Sequence, residues 1–338
     1  MITGGKILVT GVHGAVAFPL ARALAEDNEV WGVARFTDPA TRTKVEDAGI
    51  TAHAADVAAG DLAGLPDDFT YVLHLAYFRG GNDAFDESFR INAEGTGLVL
   101  QHCRNAKAAL VMSSHVIYTP TDEPAHPHRE DEPVGGMRAP WAATAPSAKV
   151  AEESVARFCA RAFDLPVTIA RLNTVYGPDP RYLPSMNALA VAKGDPVVTR
   201  GEPCPHSPIH IDDMVWHLEP LLGAASVPAT VVNWCGDEVI TQRAWSELAG
   251  EVAGTEAEVT VREVPGAPYQ NVGDPTKRRS ITGPCRSDFP AAYRASAAAL
   301  LREVLLSEDL PAGELASTLS GNGILPTLGA DESSCHDR

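Results

Sequence analysis

Lys6-Ile7-Leu8-Val9-Thr10-Gly11-Val12-His13-Gly14-Ala15-Val16-Ala17 reads as a short apolar strand that runs into a glycine-rich turn and opens a helix rich in Ala and Leu. Such a turn needs small residues, because the backbone must bend sharply and then come close to a pyrophosphate held at the helix N-terminus. Gly11 and Gly14 meet those two needs, and Ala17 still lets the helix pack closely on the sheet. A glycine pattern alone is weak evidence. The strand before it and the helix after it are what make it a dinucleotide-binding turn. Pro19 falls close enough to the first helical turn to be tolerated.

Outward from this turn, strand-like runs alternate with helix-like segments over about 170 residues: Lys6 to Gly11, Glu29 to Ala34, Gly49 to Asp56, Tyr71 to Ala76, Ala109 to Ser114 and Val167 to Asn173. Short continuous apolar strands in this alternation predict an α/β fold, a doubly wound parallel Rossmann sheet covered by helices on both faces. Ala151, Val155, Phe158 and Ala162 recur at helical spacing and put an apolar stripe on a helix beginning near Lys149. Beyond Asn173 come proline-rich loops and a helical piece near Ser185 to Lys193. A strand from Ala229 to Trp234 is expected to return to the sheet, and residues 241 to 310 read as mainly helical. The expected division is a dinucleotide-binding domain over 1–175 and 211–240, a small C-terminal substrate lobe over 176–210 and 241–312, and a flexible tail over 313–338.

Composition narrows the function. The 338 residues are 45% apolar, enough for a full core. The formal charge of −17 argues against a nucleic-acid partner. The six cysteines are widely separated with no Cys-x-x-Cys pair, no secretory leader precedes Lys6, and no apolar run approaches the ~18 residues of a membrane span. The expectation is a cytoplasmic protein without a membrane partner, acting on a small molecule.

At the end of the second strand, Arg35 stands where an acidic residue would hold a ribose diol. An arginine there pairs a 2′-phosphate bidentately, so NADP is favoured, with NAD the other candidate. Asp56 and Val57, at the end of the third strand, are placed to meet the adenine.

The chain resembles the extended short-chain dehydrogenase/reductase superfamily, and within it the NAD-dependent epimerase/dehydratase group. The resemblance rests on the opening turn, His74-Leu75-Ala76, Asn92-Ala93-Glu94-Gly95-Thr96, Ser113-Ser114-His115-Val116-Ile117-Tyr118, Lys149, Arg171-Leu172-Asn173-Thr174-Val175-Tyr176-Gly177-Pro178 and His210-Ile211-Asp212-Asp213. It implies cofactor contacts from Leu75, Ala76 and Asn92 besides those above, and a homodimer formed through the helices starting near Asn92 and Lys149. Ser114 matches the family's catalytic hydroxyl, and Lys149 the lysine that grips the nicotinamide ribose. The proton-transferring tyrosine belongs four residues before that lysine, where this chain has Ala145. Hydride transfer at a carbinol also moves a proton. The candidates to carry it are His115, Tyr77, Thr144 through a water, or an acidic hydroxyl of the substrate.

The resemblance also bears on the substrate. His206 and Val264 stand where family members acting on nucleotide sugars carry diphosphate-clasping arginines, so a nucleotide sugar is not expected. Val116 stands where a dehydratase has its glutamate, and Asn173 and Tyr176 are implied as pocket walls. His126 and His128 with Glu123, Glu130 and Asp131 read as a solvated loop rather than a metal site, and Cys235 as core. The leading expectation is an NADP-dependent oxidoreductase acting on a hydroxyl or carbonyl of a small non-nucleotide metabolite. The alternatives are an epimerase that transiently reduces a tightly held NAD(P), and a catalytically silent NADP-binding regulatory protein.

Overall fold

The first half of the chain forms β1 (Lys6–Thr10), α1 (Ala17–Ala25), β2 (Glu29–Ala34), α2 (Pro39–Asp47), β3 (Thr51–Ala54), β4 (Tyr71–His74), α3 (Phe85–Phe89), α4 (Gly95–His102), β5 (Ala108–Ser114), α5 (Ala145–Phe163) and β6 (Val167–Leu172). It continues through β7 (Val175–Tyr176), α6 (Leu183–Lys193), β8 (Val197–Thr199), β9 (Pro205–His206), β10 (Ile209–His210), α7 (Ile211–Gly223) and β11 (Thr230–Trp234). The last elements are β12 (Ile240–Thr241), α8 (Gln242–Ala253), β13 (Val259–Val261), α9 (Thr276–Thr282) and α10 (Phe289–Leu306). These come from a computed structural model that describes residues 2–306 apart from 61, 82, 124, 137–141 and 264–269.

Seven strands make one sheet in the order β3-β2-β1-β4-β5-β6-β11, every pair parallel. The order reverses between β1 and β4, so the two connections leave opposite faces there and open a crevice at the carboxyl ends. Alternation along β1 builds both faces. Ile7 and Val9 pack with Leu20 and Leu24 of α1 and Met214 and Leu218 of α7, while Leu8 packs with Val99 and Leu100 of α4 and Ala156 of α5. Trp245, Val191, Tyr293 and Leu301 form a separate core among α6, α8 and α10.

The expected sheet is thus present, including the returning strand β11, with three differences. α5 begins at Ala145, four residues before Lys149, with Pro146 in its first turn where a missing N–H costs nothing. Its buried side is not the apolar stripe: Phe158 is 67% exposed, whereas Ala148, Lys149, Glu152, Ala156 and Cys159 are buried. The charged members of that buried row disguise it in the sequence. The stretch after α8 also contains β13, paired parallel with β8. The expected tail lies outside the described residues. Among them, no helix is long and apolar enough to cross a membrane.

Candidate active site

Gly11 follows β1 with φ +66°, and a Cβ there would fall 2.8 Å from Ala76 Cα. Only glycine combines that left-handed turn with so close an approach of two backbones. Its N–H donates to the Val33 carbonyl at 2.8 Å, its carbonyl accepts from Gly14 N–H at 2.8 Å, and Phe18 N–H donates to Gly14 to start α1. The segment between β7 and α6 grips the same turn: Tyr182 Oη donates to the Ala15 carbonyl at 2.7 Å and Arg181 Nη1 to that of His13 at 3.4 Å.

Beside the turn lies a cavity of about 150 Å³ bounded by Gly11, His13, Arg35, Asp56, Val57 and Ala76. Arg35 is exposed at its rim. Asp56 accepts from Ala58 N–H at 3.0 Å, which fixes the bend after β3. Two expected contacts lie behind this cavity rather than on it. Leu75 is core, and Asn92 braces the segment after β4, accepting from Phe78 N–H at 2.8 Å and donating to its carbonyl at 2.9 Å. Ala17 is buried at the head of α1.

Tyr77 joins this cavity to a second, of about 330 Å³, lined by Ser114, Lys149, Ala145, Asn173, Val16 and Arg79 among others. Ser114 ends β5, its Oγ capping the following turn at 3.4 Å from Val116 N. Lys149 is 3% exposed, donates to the Met112 carbonyl at 2.8 Å, lies 2.7 Å from Glu152 Oε2 and sits 4.8 Å from the centre of the Tyr77 ring. Burial pushes the Tyr77 phenol up to about 12, so it stays protonated at neutral pH. Ala145 faces the same space as Ser114 and Lys149.

A buried clamp holds α5 in register with the sheet. Glu153 accepts from Arg171 Nε and Nη2, both at 2.9 Å, and Arg171 Nη1 donates to Tyr118 Oη at 2.9 Å and to the Glu130 carbonyl at 3.1 Å. Tyr118 Oη in turn donates to Asn233 Oδ1 at 2.6 Å. A paired, planar guanidinium of this kind fixes geometry more than it adds stability.

Four sequence expectations are redrawn by these positions. His115 opens a tight turn immediately after Ser114 that swings it off the cavity into the interior, against Tyr118 and His128. Burial, with the nearby His128, lowers its pKa well below the ordinary value. Thr144 is also fully buried, bonded to Ser88 and to the Gly80 carbonyl. Tyr176 packs on Phe289 and His210 rather than on the cavity. Glu132 reaches both His126 and His128, at 3.0 Å and 2.7 Å, and Glu123 reaches His126 at 3.4 Å, whereas Glu130 caps Asn233 N–H and Asp131 pairs with Arg129.

Sequence reasoning missed Glu152 and Arg79 beside the cavity. It also missed Arg200, whose charge bears on buried His206 and Cys204. Val264 lies outside the described residues. Cys235 is fully buried, and burial raises its thiol pKa strongly, so it behaves as core.

A glycine turn on the first strand, a switch-point crevice, and a serine and a lysine facing one another across its far end form one arrangement. The family profile described as the NAD dependent epimerase/dehydratase family matches residues 7–215. The chain belongs to that family. As a member, it is an enzyme of the extended short-chain dehydrogenase type. No curated protein matches its sequence. Among solved structures, UDP-glucuronic acid 4-epimerase from Bacillus cereus, in complex with UDP-glucuronic acid and NAD, is similar with a TM-score of 0.75 and 21% identity over 88% of this chain and 99% of that one. UDP-N-acetylglucosamine 4-epimerase from Methanobrevibacter ruminantium is similar at 0.75 and 19%, over 89% and 100%. The dTDP-glucose 4,6-dehydratase DesIV from Streptomyces venezuelae is similar at 0.73 and 18%, over 88% and 98%. At these identities the likeness is one of fold.

Proposed function

We propose that this epimerase/dehydratase family member binds a nicotinamide dinucleotide along the two joined cavities and catalyses oxidation–reduction at a hydroxyl-bearing carbon of a small metabolite. The observation that carries the reading is that Ser114 and Lys149 line one cavity, which Tyr77 connects to the groove under Gly11 and Arg35. The cofactor, when bound, supplies and accepts the hydride. The chain supplies the rest. The Gly11–Gly14 turn lets the backbone approach the pyrophosphate, Lys149 holds the ribose hydroxyls, and Ser114 Oγ donates to the reacting oxygen. Apolar Val16, Met112, Val116 and Leu172 exclude water from around the transfer.

The apolar lining and modest volume of the second cavity favour a small substrate without a nucleotide. A second reading, epimerisation of a nucleotide sugar on a resident cofactor, is favoured by the UDP-sugar complexes of similar folds and by Arg200 beside His206. The experiment is calorimetry with NADP and NAD, followed by turnover assays with UDP-glucuronic acid, UDP-glucose and a panel of small carbonyl compounds. Consumption of added NADPH with a small carbonyl supports the first reading. Interconversion of a UDP-sugar without added cofactor supports the second. Uptake of neither nucleotide overturns both. A protein that binds NADP and turns over nothing is the regulatory alternative.

Arg35 at the cavity rim is assigned the 2′-phosphate, which favours NADP over NAD. Arg35→Ala is therefore expected to weaken NADP binding by about tenfold or more, the worth of one charge-assisted pair, while NAD affinity stays within about twofold. Equal losses for both nucleotides would return Arg35 to the solvent.

We also propose that two copies pair through α4 and α5. These helices approach closely, a Cβ at Gly97 falling 3.1 Å from Val155 Cγ1, and they present Phe158 outward. Phe158 continues Ala151, Val155 and Ala162 into one contiguous apolar row on the outer side of α5, which fits a covered interface. In sedimentation velocity, the parent is expected as a dimer and Phe158→Asp as a folded monomer. A monomeric parent would remove the proposal.

A further inference from the structure

One turn beyond Lys149 on α5, Glu152 has no solvent exposure, and among the described residues its Oε1 has no hydrogen-bond partner while its Oε2 has only Lys149 within reach. The Lys149 ammonium, 2.7 Å from Oε2, is its compensation. A structural ion pair in so dry a place is expected to have its remaining lone pairs satisfied, because an open buried carboxylate is costly. The lysine does not need this partner for packing, since it already donates to the Met112 carbonyl and covers the Tyr77 ring. The same lysine faces the cavity where Ala145 leaves no phenol. The pair therefore joins an interior carboxyl to the reacting space through a single nitrogen.

We propose that Glu152 is the proton store of this site, protonating Lys149 as Lys149 Nζ–H protonates the substrate oxygen held by Ser114. The proposal rests on the oxidoreductase reading above. In the reducing direction, a bound dihydronicotinamide would supply the hydride for the new C–H bond, and the carbonyl π pair would move onto oxygen. The Lys149 N–H bond breaks as the substrate O–H bond forms, and the Glu152 carboxyl proton passes to the lysine nitrogen. An ammonium–carboxylate pair is left, which regains its proton from water entering the cavity. Oxidation of an alcohol runs the same steps backwards. Glu152 never touches substrate and acts through Lys149.

The surroundings suit that duty. Burial pushes Glu152 up to about 7, opposed by Lys149 and reinforced by Glu153. The other groups facing the pair do not compete for a proton near neutrality. His74 on β4 is held down to about 3 by burial and by Lys149, its two nitrogens engaged by the Thr10 and Thr96 hydroxyls. Tyr77 keeps its phenolic proton, Arg79 lines the cavity, and Glu153 is bound by Arg171.

The test is a carbon-13 NMR titration of the full-length protein labelled at the glutamate carboxyls, joined to calorimetry of NADPH and NADH binding in two buffers of unlike ionisation heat. One carboxyl signal should titrate near pH 7 and vanish in Glu152→Gln. Glu152→Asp assigns the signal by its loss if the glutamine variant does not fold. Ribose hydroxyls drawing on Lys149 loosen its hold on the carboxylate, so nucleotide binding at pH 7.5 should take up about half a proton in the parent and less than about 0.1 in Glu152→Gln. Nucleotide uptake with every carboxyl titrating in the ordinary range, or with unchanged proton uptake in the variant, overturns this proposal and leaves the oxidoreductase reading standing. Uptake of neither nucleotide overturns that reading, and the proposal with it.

Discussion

Lys149→Met is expected to leave the protein within about 1 kcal/mol of the parent at pH 6 and about 3 kcal/mol less stable at pH 9. The reason lies in Glu152. In the parent its folded pKa of about 7 is above the usual carboxylate value. Stability is therefore fully present below the unfolded pKa, falls as pH rises towards 7, and then levels off as the carboxylate ionises against the ammonium. Without that ammonium the carboxyl must stay protonated in its dry surroundings, so the fall continues at about 1.4 kcal/mol per pH unit. Urea midpoints at the two pH values read the gap directly. Adding Glu152→Gln should close it, because removing both members of a buried pair leaves no orphaned charge. A loss of equal size at both pH values would mean that the carboxyl is not the group responsible. The single variant is also expected to lose hydride transfer by about 10²-fold or more, since the proton-transferring nitrogen is gone.

Gly236→Ala carries the largest expected effect on the fold away from the site. A Cβ at this position would run into the Pro208 carbonyl oxygen, a backbone atom with no freedom to step aside. Gly236 N–H donates to the Ser207 carbonyl at 3.1 Å, and the next residue, Asp237, pairs with buried Arg278 and accepts from Cys285 N–H at 2.9 Å. A single methyl group therefore strains the junction of β10, β11 and α9 together. A loss of about 3 kcal/mol or more is expected, with a clear drop in melting temperature. A melting curve unchanged from the parent would show that the β10 segment can move.

The sheet was legible because its cause is local. Ile7, Leu8 and Val9 alternate between two interiors, and Gly11 stands where no other residue can turn, so pattern and architecture coincide. Ser114 and Lys149 were legible through the spacing that the family resemblance supplies, which no periodicity would have revealed. Glu152 was not, because a charged residue on a helix reads as solvent-facing and nothing in its neighbours marks it as buried. The same blindness reversed α5: its apolar row, with Phe158, faces outward, while its interior row holds Lys149, Glu152 and Glu153. His115 was misplaced for a different reason. It follows the serine directly, but Ser114 lines the second cavity while the turn it caps carries His115 against Tyr118 and His128, a change of surroundings that sequence adjacency does not encode. Asn92 and Leu75 sit within a residue or two of groove-lining positions and still serve only as supports.

The clamp of Arg171 on Glu153 anchors α5 one turn beyond Lys149 in the same buried row and takes no part in lining the second cavity. Position 145 can consequently be rewritten without loosening the rod that carries it. Glutamate, histidine or tyrosine installed there would hang from an unmoved backbone, at the same depth and beside the same amine, so a small series of variants would compare donors of different acidity on one fixed mount.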